Sequence, residues 1–326
     1  MGTDDLGTDD LGTDDTAMKR LPFLDAAALD AANVSAGEAM VAIERGLAAL
    51  GSSAVEQPLP PVLHAPDGGF FQPLVAASAH DNVACVNWLT YHPGNPAQGR
   101  AHSGGILVLN DFATGAPLCL MDGIWVSHRR TGYVAGLAAK YLAGEATDVA
   151  LIGAGAIAVF AVDALAALGR LRGELRVSTR SVETAARFCA ETSARLGLRA
   201  RPVDDPRAAV RGARLVVTST THDGPPFIER DWLEAGTLVV MIDRLRVVRR
   251  DLLAKADRVV TTSRESLARW GFDDRDRVGP TLPEIIAAGR PQPVAPDQVA
   301  LCDVGGIAAA DLAFAALLWS RARKRC

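Results

Sequence analysis

The pattern of apolar and polar positions divides the chain into two kinds of structure. Residues 58–125 contain short apolar runs separated by turn clusters, which is typical of a meander of strands. The clearest runs are Val83–Trp88, Gly105–Leu109 and Pro117–Met121. From Asp148 onward, short apolar strands alternate with helical segments, which predicts a parallel sheet with right-handed crossovers. The predicted fold class is therefore α/β, with a Rossmann parallel-sheet domain, and the chain is long enough either for a second domain or for one large α/β domain with additions.

Periodicity and capping signals place the individual elements. Ser35–Leu50 is predicted to be an amphipathic helix, with Ser35 as its cap and Glu38 three residues further on. Two long helices are predicted outside the strand–helix alternation, at Ser127–Leu142 and Ile307–Arg323. The predicted parallel strands are Val149–Ile152, Glu174–Val177, Arg214–Ser219, Thr237–Ile242 and Arg258–Thr262, with helices ending at Leu168 and spanning Val182–Leu196.

A glycine loop joins the first parallel strand to its helix. It reads Gly153-Ala154-Gly155-Ala156-Ile157-Ala158. In such a loop the first glycine permits a tight turn, the second lets the backbone approach a pyrophosphate, and Ala158 allows close packing of helix on strand. The helix that begins there, with Ala156 and Ile157, offers unpaired N–H groups and a positive dipole end to phosphate. Small residues also occur at such turns for packing alone, but the strand before and the helix after favour a dinucleotide cofactor.

The end of the second parallel strand bears on which dinucleotide is bound. An acidic residue there normally bonds the ribose hydroxyls of NAD. This chain instead has Ser178 followed by Thr179, Arg180 and Ser181, and an arginine flanked by hydroxyls suits a 2′-phosphate. NADP(H) is therefore expected rather than NAD(H). The alternative is that Arg180 faces solvent, in which case either cofactor would bind.

Composition excludes several other classes of function. The net charge of −4 gives no basic field, so nucleic acid is not an expected partner. No apolar run is as long as a membrane span, and no signal-peptide pattern opens the chain. Five dispersed cysteines show no metal-ligand spacing, which indicates free thiols, no metal site and a cytoplasmic location. The first residues repeat Gly-Thr-Asp-Asp-Leu three times, and residues 1–18 are expected to form a disordered tail.

A longer ordered series of motifs resembles the ornithine cyclodeaminase/μ-crystallin family. The series comprises Asn87-Trp88, Pro93-Gly94-Asn95-Pro96, Leu109-Asn110-Asp111, Thr114-Gly115, Asp122-Gly123, Arg130-Thr131, Ala138–Ala143 and Leu151–Gly155. The likeness extends over nearly everything after the tail. Asn87-Trp88 and Leu109-Asn110-Asp111 are most like the N-(carboxyethyl)-glutamate dehydrogenase branch. Thr179-Arg180-Ser181 is most like the NADPH-using ketimine reductase branch.

The resemblance implies a domain organisation and an assembly. In this family the Rossmann unit is inserted into a sheet domain, to which a C-terminal helix returns. The implied boundaries are residues 19–126 plus 307–326 for the substrate and dimerisation domain and 127–306 for the dinucleotide-binding domain. The sheet domain generally forms the dimer, so a homodimer is expected.

The resemblance also implies site residues. Arg130 matches the family arginine that contacts substrate carboxylate, a group that a guanidinium binds bidentately; the alternative is a first-turn surface residue. Thr131 would lie at the helix N-terminus, close to cofactor phosphate. Thr218 and Ser219 at a strand end, and Gly305 beside the last helix, complete the expected cofactor contacts.

The chain departs from the family at several positions. Asn87 occupies the place of a lysine that assists carboxylate binding and proton transfer, and the upstream arginine has no clear counterpart. Asp243 is near, but not in register with, the cyclodeaminase acid, and either an acid role or an ion pair with Arg244 or Arg246 is open. Asp303 stands in an altered late motif before a glycine pair and is a further candidate for the catalytic site.

The expected function is NAD(P)H-dependent reduction of an imine or carbonyl group in a small amino-acid-derived substrate. Losing two cationic carboxylate ligands argues against ornithine cyclodeamination, because each charged hydrogen bond contributes roughly 1.5–3 kcal/mol. Two alternatives stay open. One is a cyclodeaminase or lyase that recycles NAD, and the other is a non-catalytic binder like the crystallin branch of the family.

Overall fold

The computed structural model describes residues 21–144, 148–269, 272 and 278–324. The repeat tail expected at residues 1–18 lies outside this part of the chain. The described strands are β1 (Phe23–Leu24), β2 (Leu63–His64), β3 (Phe70–Ser78), β4 (Val83–Tyr91), β5 (Ser103–Asp111), β6 (Pro117–Asp122), β7 (Val149–Ile152), β8 (Glu174–Ser178), β9 (Arg199–Pro202), β10 (Leu215–Thr218), β11 (Thr237–Met241), β12 (Arg258–Thr261) and β13 (Val299–Asp303). The described helices are α1 (Ala26–Ala31), α2 (Ala36–Gly51), α3 (Gly123–Leu142), α4 (Ala156–Ala167), α5 (Val182–Leu196), α6 (Pro206–Val210), α7 (Arg250–Lys255), α8 (Arg264–Arg269), α9 (Leu282–Ala287) and α10 (Ala308–Ala322).

The first sheet has six strands in the order β1-β6-β5-β4-β3-β2. All neighbours pair antiparallel except β1 and β6. Side chains alternate between faces, and the inward ones, such as Leu74 and Leu107, join a core with α2, α3 and α10. The predicted meander is therefore correct, and the final helix packs on this sheet.

The second sheet has seven parallel strands in the order β12-β13-β11-β10-β7-β8-β9. Its central strands are buried along their whole length, as expected when helices cover both faces. The order reverses between β7 and β10, and this is where Rossmann folds bind ligands, outside the carboxyl ends of the strands. Two strands, β9 and β13, were not predicted from the sequence.

The helix predicted at Ser127–Leu142 begins four residues earlier, at Gly123. Its cap is Asp122, whose Oδ1 accepts hydrogen bonds from the backbone N–H groups of Ile124 (3.0 Å) and Trp125 (2.9 Å). Thr131 therefore lies in the third turn of the helix, not at its N-terminus as expected.

Glycines let α3 and α4 pack closely together. A Cβ on Gly132 would lie 2.6 Å from the backbone nitrogen of Ala161, and one on Gly136 would overlap the Ala164 side chain. Helix α3, which covers the first sheet, thereby also contacts the helix that follows the glycine loop. No helix in the described ranges is long and apolar enough to cross a membrane.

Candidate functional site

A cleft lies between the two sheets at the carboxyl ends of the parallel strands, and it contains two adjoining cavities. The loop cavity, of about 590 Å³, is lined by the glycine loop, the end of β8 and residues after β10. The arginine cavity, of about 720 Å³, is lined by residues after β11, by the start of α4 and by the first sheet. Five residues border both cavities: His102, Gly155, Ser219, Thr220 and Thr221. The two cavities are therefore compartments of one cleft.

The glycine loop has the geometry of a phosphate cradle. Gly153 has φ +95°, and a Cβ there would overlap the Ser219 carbonyl, so no other residue fits this turn. A Cβ on Gly155 would meet no atom within 4 Å, so the space beside it is open to a ligand. Helix α4 begins at Ala156, immediately after this opening. Its first N–H groups and its positive dipole end lie where an anionic pyrophosphate is stabilised, so these residues fit a dinucleotide.

The far end of the loop cavity is formed by Ser178, Thr179, Arg180 and Ser181. The Thr179 hydroxyl donates to the Ser181 carbonyl (2.6 Å) and the Ser181 hydroxyl donates to Glu183 (2.6 Å), so both help to shape the turn. Arg180 is exposed and makes no hydrogen bond or ion pair with residues in the described ranges.

One carboxylate near this turn, Asp204, was not predicted as a site residue. Asp204, which comes after β9, also lines the loop cavity. The strand β9 was not predicted, and so nothing in the sequence indicated that this aspartate reaches the end of β8.

Asp243 lies two residues beyond β11 and lines the arginine cavity. Its Oδ1 accepts a hydrogen bond from the Thr218 hydroxyl (2.6 Å), and its Oδ2 accepts a longer one from the Thr220 N–H (3.3 Å). Burial raises the pKa of Asp243 to about 7, and the Thr218 bond opposes this rise. Of the two alternatives left open by the sequence, this geometry favours an acid, because its hydrogen bonds within the described residues come from a hydroxyl and an N–H, and the charge of Arg246 lowers its pKa without forming an ion pair. Thr218 is fully buried, and its hydroxyl contacts Asp243. Ser219, in contrast, borders both cavities.

The rest of the arginine cavity combines aromatic groups with cations. The first sheet, the loop before β5 and α3 contribute Phe70, Tyr91, His102 and His128. Burial lowers the pKa of His128, so its imidazole is held neutral at pH 7. The opposite wall carries three arginines, Arg244, Arg246 and Arg250.

Arg130 and Asn87 are brought together, but away from the cavity walls. The Nε of Arg130 donates to Asp311 Oδ1 at 3.0 Å, and the Nδ2 of Asn87 donates to the same oxygen at 3.1 Å. The Arg130 and Asp311 side chains are 4% and 0% exposed. Asn87 also donates to the Gly123 carbonyl (3.2 Å), and this hydrogen bond connects β4 to the start of α3. Contrary to the sequence expectation, Asn87 does not reach the cleft, because Gly123 and Asp311 cover it.

Asp303 and Gly305 lie at the end of β13. Asp303 is buried and accepts a hydrogen bond from the Thr261 hydroxyl (3.2 Å), and burial raises its pKa despite the nearby Arg244 guanidinium. The Gly305 carbonyl accepts from the Thr262 hydroxyl at 2.7 Å. Neither residue borders either cavity, although the Arg244 side chain that packs over Gly305 does.

Thr131 is placed differently from the prediction. Its hydroxyl donates to the Ser127 carbonyl at 2.6 Å within α3, and it borders neither cavity. Sequence reasoning also missed Asp311. Its only signal was a single aspartate within the apolar run Ala308–Ala315.

Comparison with known proteins gives consistent results. The sequence profile of the ornithine cyclodeaminase/mu-crystallin family matches residues 23–325. A Δ1-pyrroline-2-carboxylate reductase from Bacillus cereus is 29% identical over 252 residues, covering 73% of this chain and 77% of that protein. The structure of Thermococcus litoralis Δ1-pyrroline-2-carboxylate reductase in complex with NADH and L-proline has a TM-score of 0.85 at 23% identity, over 94% of this chain and 98% of that one. An archaeal alanine dehydrogenase dimer with bound NAD has a TM-score of 0.84 at 25% identity, over 94% and 97%.

Proposed function

Because the chain belongs to the ornithine cyclodeaminase/mu-crystallin family, we propose that it is an NAD(P)H-dependent oxidoreductase that reduces a C=N bond in a small amino-acid-derived imine. The relatives that support this include a pyrroline-carboxylate reductase and an alanine dehydrogenase. A keto group is the second acceptor the site admits, because an imine and a carbonyl need the same polarisation.

The observation that carries the proposal is the junction of the two cavities beside Asp243. The loop cavity suits a dinucleotide, and the arginine cavity has room for a small planar molecule against Tyr91 and Phe70. A nicotinamide dinucleotide, when bound, supplies the hydride. The chain's own contribution is to align the acceptor carbon and to provide a proton to its nitrogen.

Asp243 is the group proposed to hold that proton. Thr218 donates to Oδ1 at 2.6 Å, whereas Oδ2 accepts only the longer bond from the Thr220 N–H at 3.3 Å, so Oδ2 is the oxygen proposed to carry the proton. With a pKa of about 7, the carboxyl is protonated in a large fraction of molecules at neutral pH. A general acid is most effective when its pKa lies near the working pH. The neutral His128 faces the same cavity without adding positive charge there.

We propose that the preferred cofactor is NADP(H). Support comes from Arg180, which is exposed at the rim of the loop cavity with hydroxyl neighbours that order its turn. A guanidinium binds a phosphate bidentately, and no carboxylate of the β8 turn itself repels the 2′-phosphate. Asp204 is the opposing observation, because a carboxylate on the cavity wall favours ribose hydroxyls.

Arg180→Ala tests this preference. Removing a charged phosphate contact should raise the dissociation constant for NADPH about 10- to 100-fold and leave that for NADH nearly unchanged. Both constants are measurable by isothermal titration calorimetry, with Asp204→Asn as the matched control that should move the NADH constant instead. An unchanged NADPH-to-NADH ratio in Arg180→Ala would remove the basis of the NADP assignment.

We further propose that the protein is a homodimer formed through the outer face of the first sheet. Among the described residues, the helices cover the inner face, and Val75, Trp88 and Ile106 are exposed on the outer one. A contiguous apolar face of this kind commonly marks an interface. The alanine dehydrogenase with the same fold is a dimer, which supports a second copy as the occupant.

Activity is tested by NADPH oxidation at 340 nm against a panel of cyclic imines and 2-keto acids with ammonia. Reduction of an imine that disappears in Asp243→Asn, with cofactor binding retained, is the expected result. Ammonia release from ornithine or lysine without net cofactor oxidation would indicate the cyclodeaminase alternative. Cofactor binding without turnover over the whole panel would indicate a binding protein.

A further inference from the structure

We propose that the arginine cavity selects an acceptor that carries an aromatic ring, and that this ring lies against the side chains of Phe70 and Tyr91. The inference rests on the proposed function and names its substrate class: an imine of an amino-acid derivative whose side chain is aromatic.

Phe70 and Tyr91 belong to one row of side chains across the first sheet. Phe70 on β3 pairs with Tyr91 on β4, and Tyr91 pairs with Ser103 on β5. Because side chains alternate between the two faces of a strand, this row lies on the same face as the core residues Leu74 and Leu107. All three residues of the row line the arginine cavity. The inner face of the sheet therefore ends in aromatic groups at the cleft.

The two rings form one continuous apolar surface. Their centroids are 5.5 Å apart and their planes are inclined by 26°, which is a stacked arrangement. Both side chains are only half-buried, so part of each ring is open to the cavity. Aromatic rings contact one another favourably in stacked or edge-to-face geometry, beyond the gain from burying their area. A ring of the substrate placed here would extend the stack that the pair already makes.

His102 extends this surface toward the cofactor. Its ring centroid lies 5.5 Å from that of Tyr91. Its carbonyl accepts a hydrogen bond from the His92 N–H (2.7 Å), and its Nδ1 lies 2.9 Å from the Ser103 hydroxyl oxygen, so the imidazole is held in place. His102 borders both cavities. An acceptor carbon at the junction of the cavities can therefore have its side chain directed along the three rings.

The wall of the cavity that follows β11 is apolar over part of its area. Leu245, Val248 and Leu253 line the cavity from the Rossmann domain. Arg246 and Arg250 on the same wall are exposed, which leaves their charge in contact with water. Apolar groups on both walls favour an apolar substrate group between them, because its transfer from water is favourable.

The arginine cavity is also larger than a small cyclic imine requires. Its volume of about 720 Å³ lies in the range of about 300–1,000 Å³ that accommodates ligands of drug size. The nicotinamide end of the cofactor would occupy only part of this space. The remainder has room for a side chain that ends in a ring.

The test compares two imines that differ only in the ring, 2-(2-phenylethyl)-Δ1-pyrroline and 2-ethyl-Δ1-pyrroline. The ring is not conjugated with the C=N bond, so the intrinsic reactivity of the two compounds is similar. In the wild type, kcat/KM for the phenylethyl imine should exceed that for the ethyl imine about 10- to 100-fold. Tyr91→Leu should lower this ratio about 3- to 10-fold, because leucine keeps the apolar bulk but not the flat face, and Tyr91→Phe should retain it. A wild type that shows no preference, or a preference unchanged in Tyr91→Leu, would overturn the proposal.

Phe71→Leu is the matched control. Phe71 is next to Phe70 on β3, but its side chain lies on the outer face against Trp88 and His92 and does not line the cavity. Phe70→Leu should lower the preference for the phenylethyl imine, and Phe71→Leu should leave it unchanged. The Phe70→Leu comparison also keeps the test decisive if Tyr91→Leu does not fold. Equal losses of preference in Phe70→Leu and Phe71→Leu would show that the effect is not due to a ring site in the cavity.

A binding measurement distinguishes failure of this inference from failure of the proposed function. The uncharged compounds 2-(2-phenylethyl)pyrrole and 2-ethylpyrrole cannot accept a hydride in this way, so titration of the NADPH-loaded protein with them needs no turnover. The wild type should bind the phenylethyl compound at least about 10-fold more tightly, and Tyr91→Leu should reduce that difference. If the wild type shows the difference but reduces no imine, the ring site stands and the reductase assignment falls. If it reduces both imines equally and binds both pyrroles alike, the reductase assignment stands and the ring site falls.

Discussion

At the scale of single residues, protonation of the Asp243 carboxyl should make the rate of imine reduction depend on pH. Its pKa is raised from 3.8 to about 7 by burial. If it donates the proton, kcat/KM for imine reduction should fall as pH rises through about 7, and Asp243→Asn should abolish the activity together with this limb. Thr218→Val removes the hydrogen bond that lowers the pKa, so the descending limb should move to higher pH. A limb that stays in place in Thr218→Val would contradict this assignment.

The same group has a consequence for stability. Between pH 3.8 and about 7 the folded protein binds this proton more strongly than the unfolded chain does. The contribution of Asp243 to the free energy of unfolding is therefore greatest at low pH and declines as pH rises through this window. Comparing wild type with Asp243→Asn across these pH values isolates the contribution.

The buried pair of Arg130 and Asp311 leads to a second prediction. Arg130→Ala leaves the Asp311 carboxylate buried and without its cation, which should lower the free energy of unfolding by about 3–5 kcal/mol. The free energy of unfolding should fall much less in the double variant Arg130→Met with Asp311→Leu, because no uncompensated charge remains. Urea denaturation of both variants measures this. If Arg130 mainly holds substrate, the single variant should instead retain stability and lose affinity.

The candidate site was only partly predictable from sequence. The cofactor loop and Asp243 follow a strand end, a position that the pattern reveals. Asp311 and Arg244 could not be found in this way. The contact of Asp311 with Arg130 depends on the packing of α10 against α3, and the position of Arg244 depends on a left-handed turn after β11. The contacts of Asn87 could not be predicted for the same reason, since its partners are 36 and 224 residues away in the chain.

At the scale of elements, the turn from β7 to α4 gives a matched pair of variants. Gly153→Ala forces a Cβ into the Ser219 carbonyl at a positive φ, and should lower the free energy of unfolding by at least about 1–2 kcal/mol in the absence of cofactor. Gly155→Ala meets no atom within 4 Å, so it should leave stability nearly unchanged while weakening cofactor binding. Thermal melts and cofactor titrations of both proteins separate the two effects. Equal effects on stability would count against the loop geometry.

Local signals determined which elements could be predicted. The helix α2 has the capping box of Ser35 and Glu38, and α5 has the bounds predicted from the sequence, Val182–Leu196. The start of α3 was misplaced because the residues after Asp122 include a tryptophan and β-branched residues, which carry weak helix propensity. The strand β13 is a five-residue run whose place between β11 and β12 is determined by tertiary packing alone.

At the scale of the whole molecule, the outer face of the first sheet is an apolar surface that no helix of the described ranges covers. Its rows run across neighbouring strands: Val75 pairs with Val86, Val86 with Val108, and Val108 with Leu120. Trp88 lies between Pro73 and Ile106 in the next row. A row of apolar side chains on four strands matches the apolar core of an obligate interface.

Trp88→Glu places a charge at the centre of this face and should convert the proposed dimer to a monomer, because an interface core excludes unpaired charge. Sedimentation velocity at micromolar concentration measures the change in mass. Phe112→Glu is the control, since Phe112 is 45% exposed but lies in the turn between β5 and β6 rather than on the sheet, and it should leave the dimer intact. A wild-type monomer would refute the proposed dimer, and a Trp88→Glu protein that stays dimeric would assign the second copy to another surface. Because Tyr91 and His102 reach the cleft from β4 and the loop before β5, the monomer should also bind substrate less tightly if the dimer rigidifies this sheet.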